Sequence, residues 1–301
     1  YFFVTGVQTC ALPILLVDPE TNIRYFDILT GKTDREEEAL LVRANNRTYR
    51  SRGIQTRAEY RFNLNEFFFD LEFGLRYHAD EEDRFQWDDS YSMKNKKMVL
   101  FMEGIHGTNA NRVTSANALA GYLLAKLRYD AWTVTAGLRY EDVDLLKKDY
   151  TKEDLARSGK VRIETPNHAR VLIPGVGLHY QLMPAASVFF GIHKGFAPPS
   201  AELYQKPESS VNMELGTRVA IRNFRAELIG FYNNYSNMLG SDLAASGGAG
   251  TLEQFNVGEA RVKGAEFLVQ YQPLPKNCNV RLPLQVSYTY TDTEIRNSFE
   301  I

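Results

Sequence analysis

The chain has 301 residues, a formal net charge of −2 and 44% hydrophobic residues, enough for two ordinary domains or one large β domain. Without a basic field to neutralise phosphates, nucleic acid is not expected as a main partner. Apolar runs fall short of the roughly 18 residues that a membrane-crossing helix needs, which argues against helical membrane spans and leaves a β-barrel open, because barrel strands carry only half the apolar signal.

The chain begins at Tyr1, has no signal-peptide pattern and ends at Ile301 in polar sequence, so it is expected to be a fragment. Its first segment, Tyr1–Ile14 (YFFVTGVQTCALPI), resembles a translated sequencing-adapter peptide. Residues 1–14 are therefore set aside as a non-native segment, the alternative being a strand from Phe2 to Thr9. Two cysteines, Cys10 and Cys278, form no CxxC or Cys/His cluster that would suggest zinc or a redox pair.

From residue 15 the elements follow in order. Ile23–Leu29 reads as a short strand and Asp34–Glu38 as a charged loop. From Arg47 a period of two sets in. Ile54, Thr56, Ala58, Tyr60 and Phe62 share one face; Gln55, Arg57, Glu59 and Arg61 share the other. After a short turn, Phe69, Leu71, Phe73, Leu75 and Tyr77 alternate with Asp70, Glu72, Gly74, Arg76 and His78. Ala79–Ser90 reads as a polar loop, Met98–Glu103 as a strand and His106–Arg112 as a loop. Two strands surround the Tyr129–Asp130 turn, and a long polar segment runs from Asp142 to Asn167. Strands Leu172–Tyr180 and Ser187–His193 precede a long loop, Gly195–Ser209. Phe224–Asn234 alternates again, with a turn of about three residues before it and a loop from Tyr235 to about Leu252 after it. Val280 to Tyr290 forms the last expected strand.

Short turns thus alternate with long loops, and nearly every strand has one apolar and one charged face. That is the asymmetry of an outer-membrane barrel, with short turns on the periplasmic side and long loops outside. A soluble sandwich alternates too, but does not need long loops at one end only. Tyr77, Trp132, Tyr140, Tyr180, Phe224 and Tyr232 fall near strand ends, where aromatic girdles sit. The expected fold is all-β, a transmembrane antiparallel β-barrel. Some 11–12 strands with unpaired edges cannot close in lipid, so residues 15–301 read as part of a larger barrel.

The phrases NRTYRSRGIQTRAEYRF, GLRYHADEEDRFQ, TAGLRYE, GIHKGFAPPSAELY, NMELGTR, FYNNYSNM and NVGEARVKGAEF, in this order, resemble the barrel of TonB-dependent outer-membrane receptors, most closely the ferric dicitrate receptor type. The resemblance covers about Ile23–Ile301. It implies a barrel of about 22 strands with an N-terminal plug outside this chain. It further implies uptake of a ferric chelate (ferric citrate or another siderophore) and no covalent chemistry. The implied partners are the TonB energy-transducing complex, the anionic chelate and outer-membrane lipids, and the location is the outer membrane of a Gram-negative bacterium. No cofactor is implied, the chelate being the transported ligand.

Arginine suits an anionic chelate because its fork binds carboxylates bidentately. Arg47 matches a family arginine that contacts ferric citrate; Arg112 lies near another such position, displaced by a few residues; Arg84 and Gln86 are further candidates. Where the family has a glutamine after FYNNY, this chain has Leu243 beside Asp242. Arg57, Glu72, Arg76 and Arg139 would line the lumen or hold the plug. Asp80–Asp83 reads as a solvated acidic loop. His78, His106, His168, His179 and His193 show no metal-ligand spacing, and no nucleophile motif or phosphate loop is present. A passive porin is the second reading, distinguished by the lack of an upstream plug; a barrel enzyme built on His78 or His193 with a nearby Ser is the third.

Overall fold

A computed structural model describes residues 2–4, 18, 20–150, 152–159, 162–241, 254–274 and 280–298. Leu243, Asp242, both cysteines and most of Tyr1–Ile14 lie outside the described residues. The strands are β1 (Phe2–Val4), β2 (Arg35–Ala44), β3 (Arg47–Leu64), β4 (Phe67–Lys94), β5 (Lys97–Met102), β6 (Ala110–Tyr129) and β7 (Trp132–Asp149). They continue with β8 (Ile163–Met183), β9 (Ala186–Ala197), β10 (Glu208–Ile221), β11 (Phe224–Ser241), β12 (Gln254–Tyr271) and β13 (Leu284–Ser298). One helix, α1, spans Ile23–Leu29.

All strands belong to one 13-stranded antiparallel sheet. From β6 to β13 each strand pairs with its neighbours in sequence. The long strand β4, 28 residues, is flanked on one side by β3 below and β2 above, and on the other by β6 below and β5 above. The chain therefore builds a barrel wall from which β2, the top of β4 and β5 rise as a continuation. Among the described residues no ladder joins β3 to β13, so the barrel wall ends in a free edge at each of them.

The faces explain the rest. In the lower wall, register places Leu71, Ala125, Ala136 and Val176 in one row and Glu72, Leu124, Gly137 and Gly175 in a row on the opposite face. Exposed Phe73, Leu75, Leu119, Leu123, Leu138, Leu172 and Leu215 make one face an apolar belt. A belt of this extent is untenable in water and is what a barrel turns to lipid. At the short-turn end it is edged by aromatic pairs, stacked for Phe62–Phe69 and Phe67–Tyr129 with ring centroids 4.7 and 4.5 Å apart, and tilted by 41° for Trp132–Tyr180 at 4.5 Å. Towards the long-loop end Tyr77 and Tyr140 bound it. Phe69 to Tyr77 is about eight steps, or roughly 26 Å of strand, close to the 9–11 residues that a tilted strand needs to cross the hydrocarbon.

Beyond Tyr77 the same face of β4 is covered by protein. Helix α1 packs there: Ile28 and Leu40 are buried with Met93, flanked by Tyr25, Leu29 and Tyr91. This corrects the expectation of a strand at Ile23–Leu29. Tyr25, Ile28 and Leu29 are spaced i, i+3, i+4, a helical stripe, and that stripe supplies the contact.

Six loop expectations also change. Asp34–Glu38 enters strand β2, and Ala79–Ser90 is wholly inside β4. Asp142–Asn167 contributes the top of β7 and the start of β8. His106–Arg112 gives its last three residues to β6, Gly195–Ser209 gives its two ends to β9 and β10, and Tyr235–Leu252 gives Tyr235–Ser241 to β11, the rest of it lying outside the described residues. Strand β1 pairs with β2, Phe2 opposite Val42, which is the pairing that the strand reading of that segment requires.

Candidate ligand-binding site

Sequence alternation says which residues of one strand share a face; the ladder says which residues of different strands meet. Arg47 of β3 stands directly opposite Arg84 of β4, and Arg84 directly opposite Arg112 of β6. Asp149 of β7 completes the row opposite Arg112. Opposite residues in an antiparallel ladder point to the same side. The three arginines thus form a transverse row on the polar face, which a barrel turns to its lumen, at the long-loop end. Gln86, two residues beyond Arg84, is on the same face. All four candidates from sequence are brought together.

The row is held by one carboxylate and one amide. Glu82 accepts from Arg84 Nη2 at 3.0 and 3.3 Å and from the Tyr49 hydroxyl at 3.0 Å, with Arg47 Nη1 at 3.5 Å. Asn45 Oδ1 accepts from Arg47 Nε at 2.8 Å and also from Gln86 Nε2. Burial opposes ionisation of Glu82, but the hydrogen bond and charge of Arg84, then Tyr49 and Arg47, outweigh it and hold the carboxyl below its ordinary range.

Donors remain. The Arg84 side chain is 11% exposed, and its Nε is buried without a hydrogen-bond partner. Among the described residues the Arg112 guanidinium makes no hydrogen bond; burial and the Arg84 charge push it below its ordinary value while Glu82, Asp149 and Glu202 oppose. It stays charged at any physiological pH. Buried donors are normally satisfied, so a row with unmatched guanidinium N–H groups is suited to an anion with several acceptor oxygens.

Loop 198–207 supplies a second wall. Ala201 is buried against Val143 and Leu145, with Ala116 and Ala118 beside them, all on the polar face of β6 and β7. Lys147 Nζ lies 2.5 Å from Glu202 Oε1, and Asn167 Nδ2 donates to the carbonyls of Ser200, Glu202 and Gln205 at 2.9 to 3.1 Å. The loop is fastened inward, which places Glu202 among the groups that act on Arg112.

Other expectations fare differently. Asp80–Asp83 is strand, not loop: Asp80 and Glu82 face one way, Glu81 and Asp83 the other. Cations pair with them, Arg50 with Glu81 at 3.4 Å and Arg157 with Asp83 at 2.7 Å, so a charged run is compatible with a ladder. Lower on the polar face, Arg57 and Arg61 share Glu59 at 3.0 Å each, Arg139 pairs with Glu141 at 2.6 Å, and Glu72 accepts from the Tyr122 hydroxyl at 2.5 Å. Sequence reasoning missed Glu82, Tyr49 and Asn45, which flank the arginines. It also missed a grouping that register alone creates: Asp142, Asp144 and His168 come together on the outward face. There Arg170 Nε already binds Asp142 at 2.9 Å, and the Tyr140 hydroxyl lies 3.3 Å from it, which makes an ion-pair cluster just beyond the aromatic edge.

A family model described as TonB dependent receptor-like, beta-barrel, matches residues 18–300. Among solved structures, the chain is similar to the ferric citrate transporter FecA in its unliganded form, with a TM-score of 0.64, 20% identity, and coverage of 87% of this chain and 38% of that one. It is also similar to the siderophore receptor PiuA from Acinetobacter baumannii, with a TM-score of 0.63, 15% identity and coverage of 85% and 40%. For the ferric yersiniabactin uptake receptor FyuA from Yersinia pestis the TM-score is 0.62, the identity 16% and the coverage 85% and 37%. At these identities the likeness is one of fold, and the chain spans well under half the length of each. No curated protein sequence matches the chain.

Proposed function

Because the chain belongs to the TonB-dependent receptor-like β-barrel family, we propose that the full-length protein imports an anionic ferric chelate, ferric citrate or a related siderophore, across the outer membrane. Proteins of this family are outer-membrane receptors and transporters of Gram-negative bacteria, not enzymes, and the apolar belt gives this chain the same setting. The observation that carries the ligand class is the row Arg47, Arg84 and Arg112 at the long-loop mouth, with guanidinium donors left unmatched. A ferric chelate rich in carboxylate oxygens supplies acceptors of that number and sign. The chelate is cargo, and no resident cofactor is part of the proposal.

The free edges of β3 and β13 are completed by further strands, since lipid tolerates no open ladder. We take residues 15–301 as the barrel domain and, on the resemblance of Tyr1–Ile14 to an adapter peptide, residues 1–14 as a non-native segment, against which stands the pairing of Phe2–Val4 with β2; sequencing the source DNA across codon 15 decides the point, and native sequence running unbroken through Tyr1–Ile14 overturns it. The TonB complex acts through a plug region outside this chain, and outer-membrane lipids surround the belt.

The test is uptake and binding by the full-length receptor. Calorimetric titration with ferric citrate should give saturable binding that Arg84→Ala weakens at least tenfold, and uptake should stop in cells lacking TonB. Saturable binding that Arg84→Ala leaves intact moves the site elsewhere. Uptake that persists without TonB makes the protein a passive channel.

A further inference from the structure

Glu82 sits one side-chain row below the arginines on the polar face of β4, with Tyr49 and Thr114 as its cross-strand neighbours. It is the carboxylate that Arg84 and Arg47 share, at 3.0 and 3.5 Å. Resting on the reading of this row as the chelate site, we propose that Glu82 competes with the transported anion for the donors of Arg84 and Arg47, and is thereby a specificity-determining residue that selects ligands of high negative charge.

The argument is one of exchange. A guanidinium has five N–H donors in a fixed fork. Arg84 commits Nη2 to both oxygens of Glu82. A ligand carboxylate that takes Arg84 in the bidentate mode must displace that contact. A monocarboxylate returns only what Glu82 already gave, so its exchange is close to neutral. A ligand with several anionic oxygens also reaches Arg112, whose guanidinium Glu82 does not bond, and gains there without giving anything up. Glu82 survives the exchange because the Tyr49 hydroxyl, 3.0 Å away, still donates to it. Its charge then remains beside the ligand, and like-charge repulsion raises the threshold for every anion.

Asp83 is the internal control. It is the next residue along β4, faces the other way and pairs with Arg157. Removing its charge changes the net charge by the same amount without touching a side chain of the row; its partner Arg157 reaches only the Arg84 backbone carbonyl, at 3.5 Å.

The experiment is titration of the full-length receptor in detergent with ferric citrate and, separately, with acetate, for wild type, Glu82→Gln, Glu82→Ala, Asp83→Asn and Arg84→Ala. Glu82→Gln and Glu82→Ala should bind ferric citrate about tenfold tighter, since charge-assisted hydrogen bonds no longer have to be broken. They should also gain measurable affinity for acetate, while Asp83→Asn stays at wild type. Two variants of different size guard against a folding defect in one. If Arg84→Ala loses ferric citrate but both Glu82 variants bind it equally or more weakly than wild type, Glu82 merely positions the arginines and the competition idea is overturned alone. If Arg84→Ala binds like wild type, the row is not the site and both ideas fall.

Discussion

Two adjacent residues of β4 sort the charged groups of the mouth into two kinds. Asp83 faces outward and meets Arg157, whose Nη1 and Nη2 donate to its two oxygens at 2.8 and 2.7 Å. Arg157 Nε donates to Asn111 at 2.7 Å, and its guanidinium lies over the rings of Phe85 and Tyr150, 5.2 and 5.3 Å from their centroids. Glu82 faces inward and meets Arg84, whose Nε stays unmatched, in a row with Arg112, whose guanidinium forms no hydrogen bond among the described residues. The outer arginine is finished: each donor group has an acceptor, and the plane of the side chain is stacked. The inner ones keep donors in reserve. Charge alone does not distinguish a structural arginine from a binding one; the satisfaction of its donors does.

The sharpest way to break this comparison is to remove the reserve. Arg84→Ala combined with Arg112→Ala in the full-length receptor should weaken ferric citrate binding about a hundredfold or more, each charge-assisted contact being worth roughly 1.5–3 kcal/mol. Equal affinity in calorimetry would mean that unmatched donors here have no ligand. Arg47 is the intermediate case, because Asn45, Tyr49 and Glu82 already engage three of its contacts. Arg47→Ala should cost about tenfold, and a loss as large as that of the double variant would place Arg47 at the centre of the site.

Arg157→Ala should do the reverse. Ferric citrate affinity should stay within about twofold, because Arg157 is on the other face. Hydrogen exchange of residues 152–159 should rise several-fold, since the residue ties that loop to β4; the effect is modest because the Arg157 and Asp83 side chains are 23% and 36% exposed and solvent screens the pair. Lost binding with unchanged exchange would invert the comparison.

How much of this was legible beforehand follows the same division. The period of two in Phe69–Tyr77 and Leu119–Leu127 fixed the faces of the belt, and girdle aromatics marked its edges. Arg47, Arg84, Arg112 and Gln86 could be picked out as separate residues, but their row could not, because register between strands is set by turn length and bulges, not by the pattern within a strand. Charge misled at Asp80–Asp83. An acidic run reads as a solvated loop until the partner strand contributes Arg47 and Arg50 to alternate faces. Brevity misled at Ile23–Leu29, where seven residues carry too little periodicity to separate helix from strand without the buried Leu40 and Met93 that the stripe packs on. Arg157 left no local signal at all: it reaches Asp83 across 74 positions of sequence, and only the fold of the loop shows it.

The smallest expected effect is the pH response of the outer pair, and its sign is fixed. The Arg157 hydrogen bond, working against burial and helped by the charges of Arg157 and Arg50, holds the Asp83 carboxyl below its ordinary value of 3.8. A carboxylate whose pKa is lower folded than unfolded contributes its stabilisation fully above the unfolded value and loses it as the pH falls through the folded one. The anchoring of residues 152–159 should therefore be flat from pH 8 to about pH 5 and weaken only below about pH 4. Exchange rates of those amides, corrected for the intrinsic pH dependence, measure it directly. The inner face offers the contrast: Glu82 is also held low, but protonating it frees the donors of Arg84 and Arg47 instead of releasing a loop. Acid should thus loosen the outer loop while leaving more guanidinium donors open to an anion inside. Anchoring that fades already between pH 7 and pH 5 would show that a histidine, not Asp83, governs the loop, and the outer arginine would lose its claim to be the finished one.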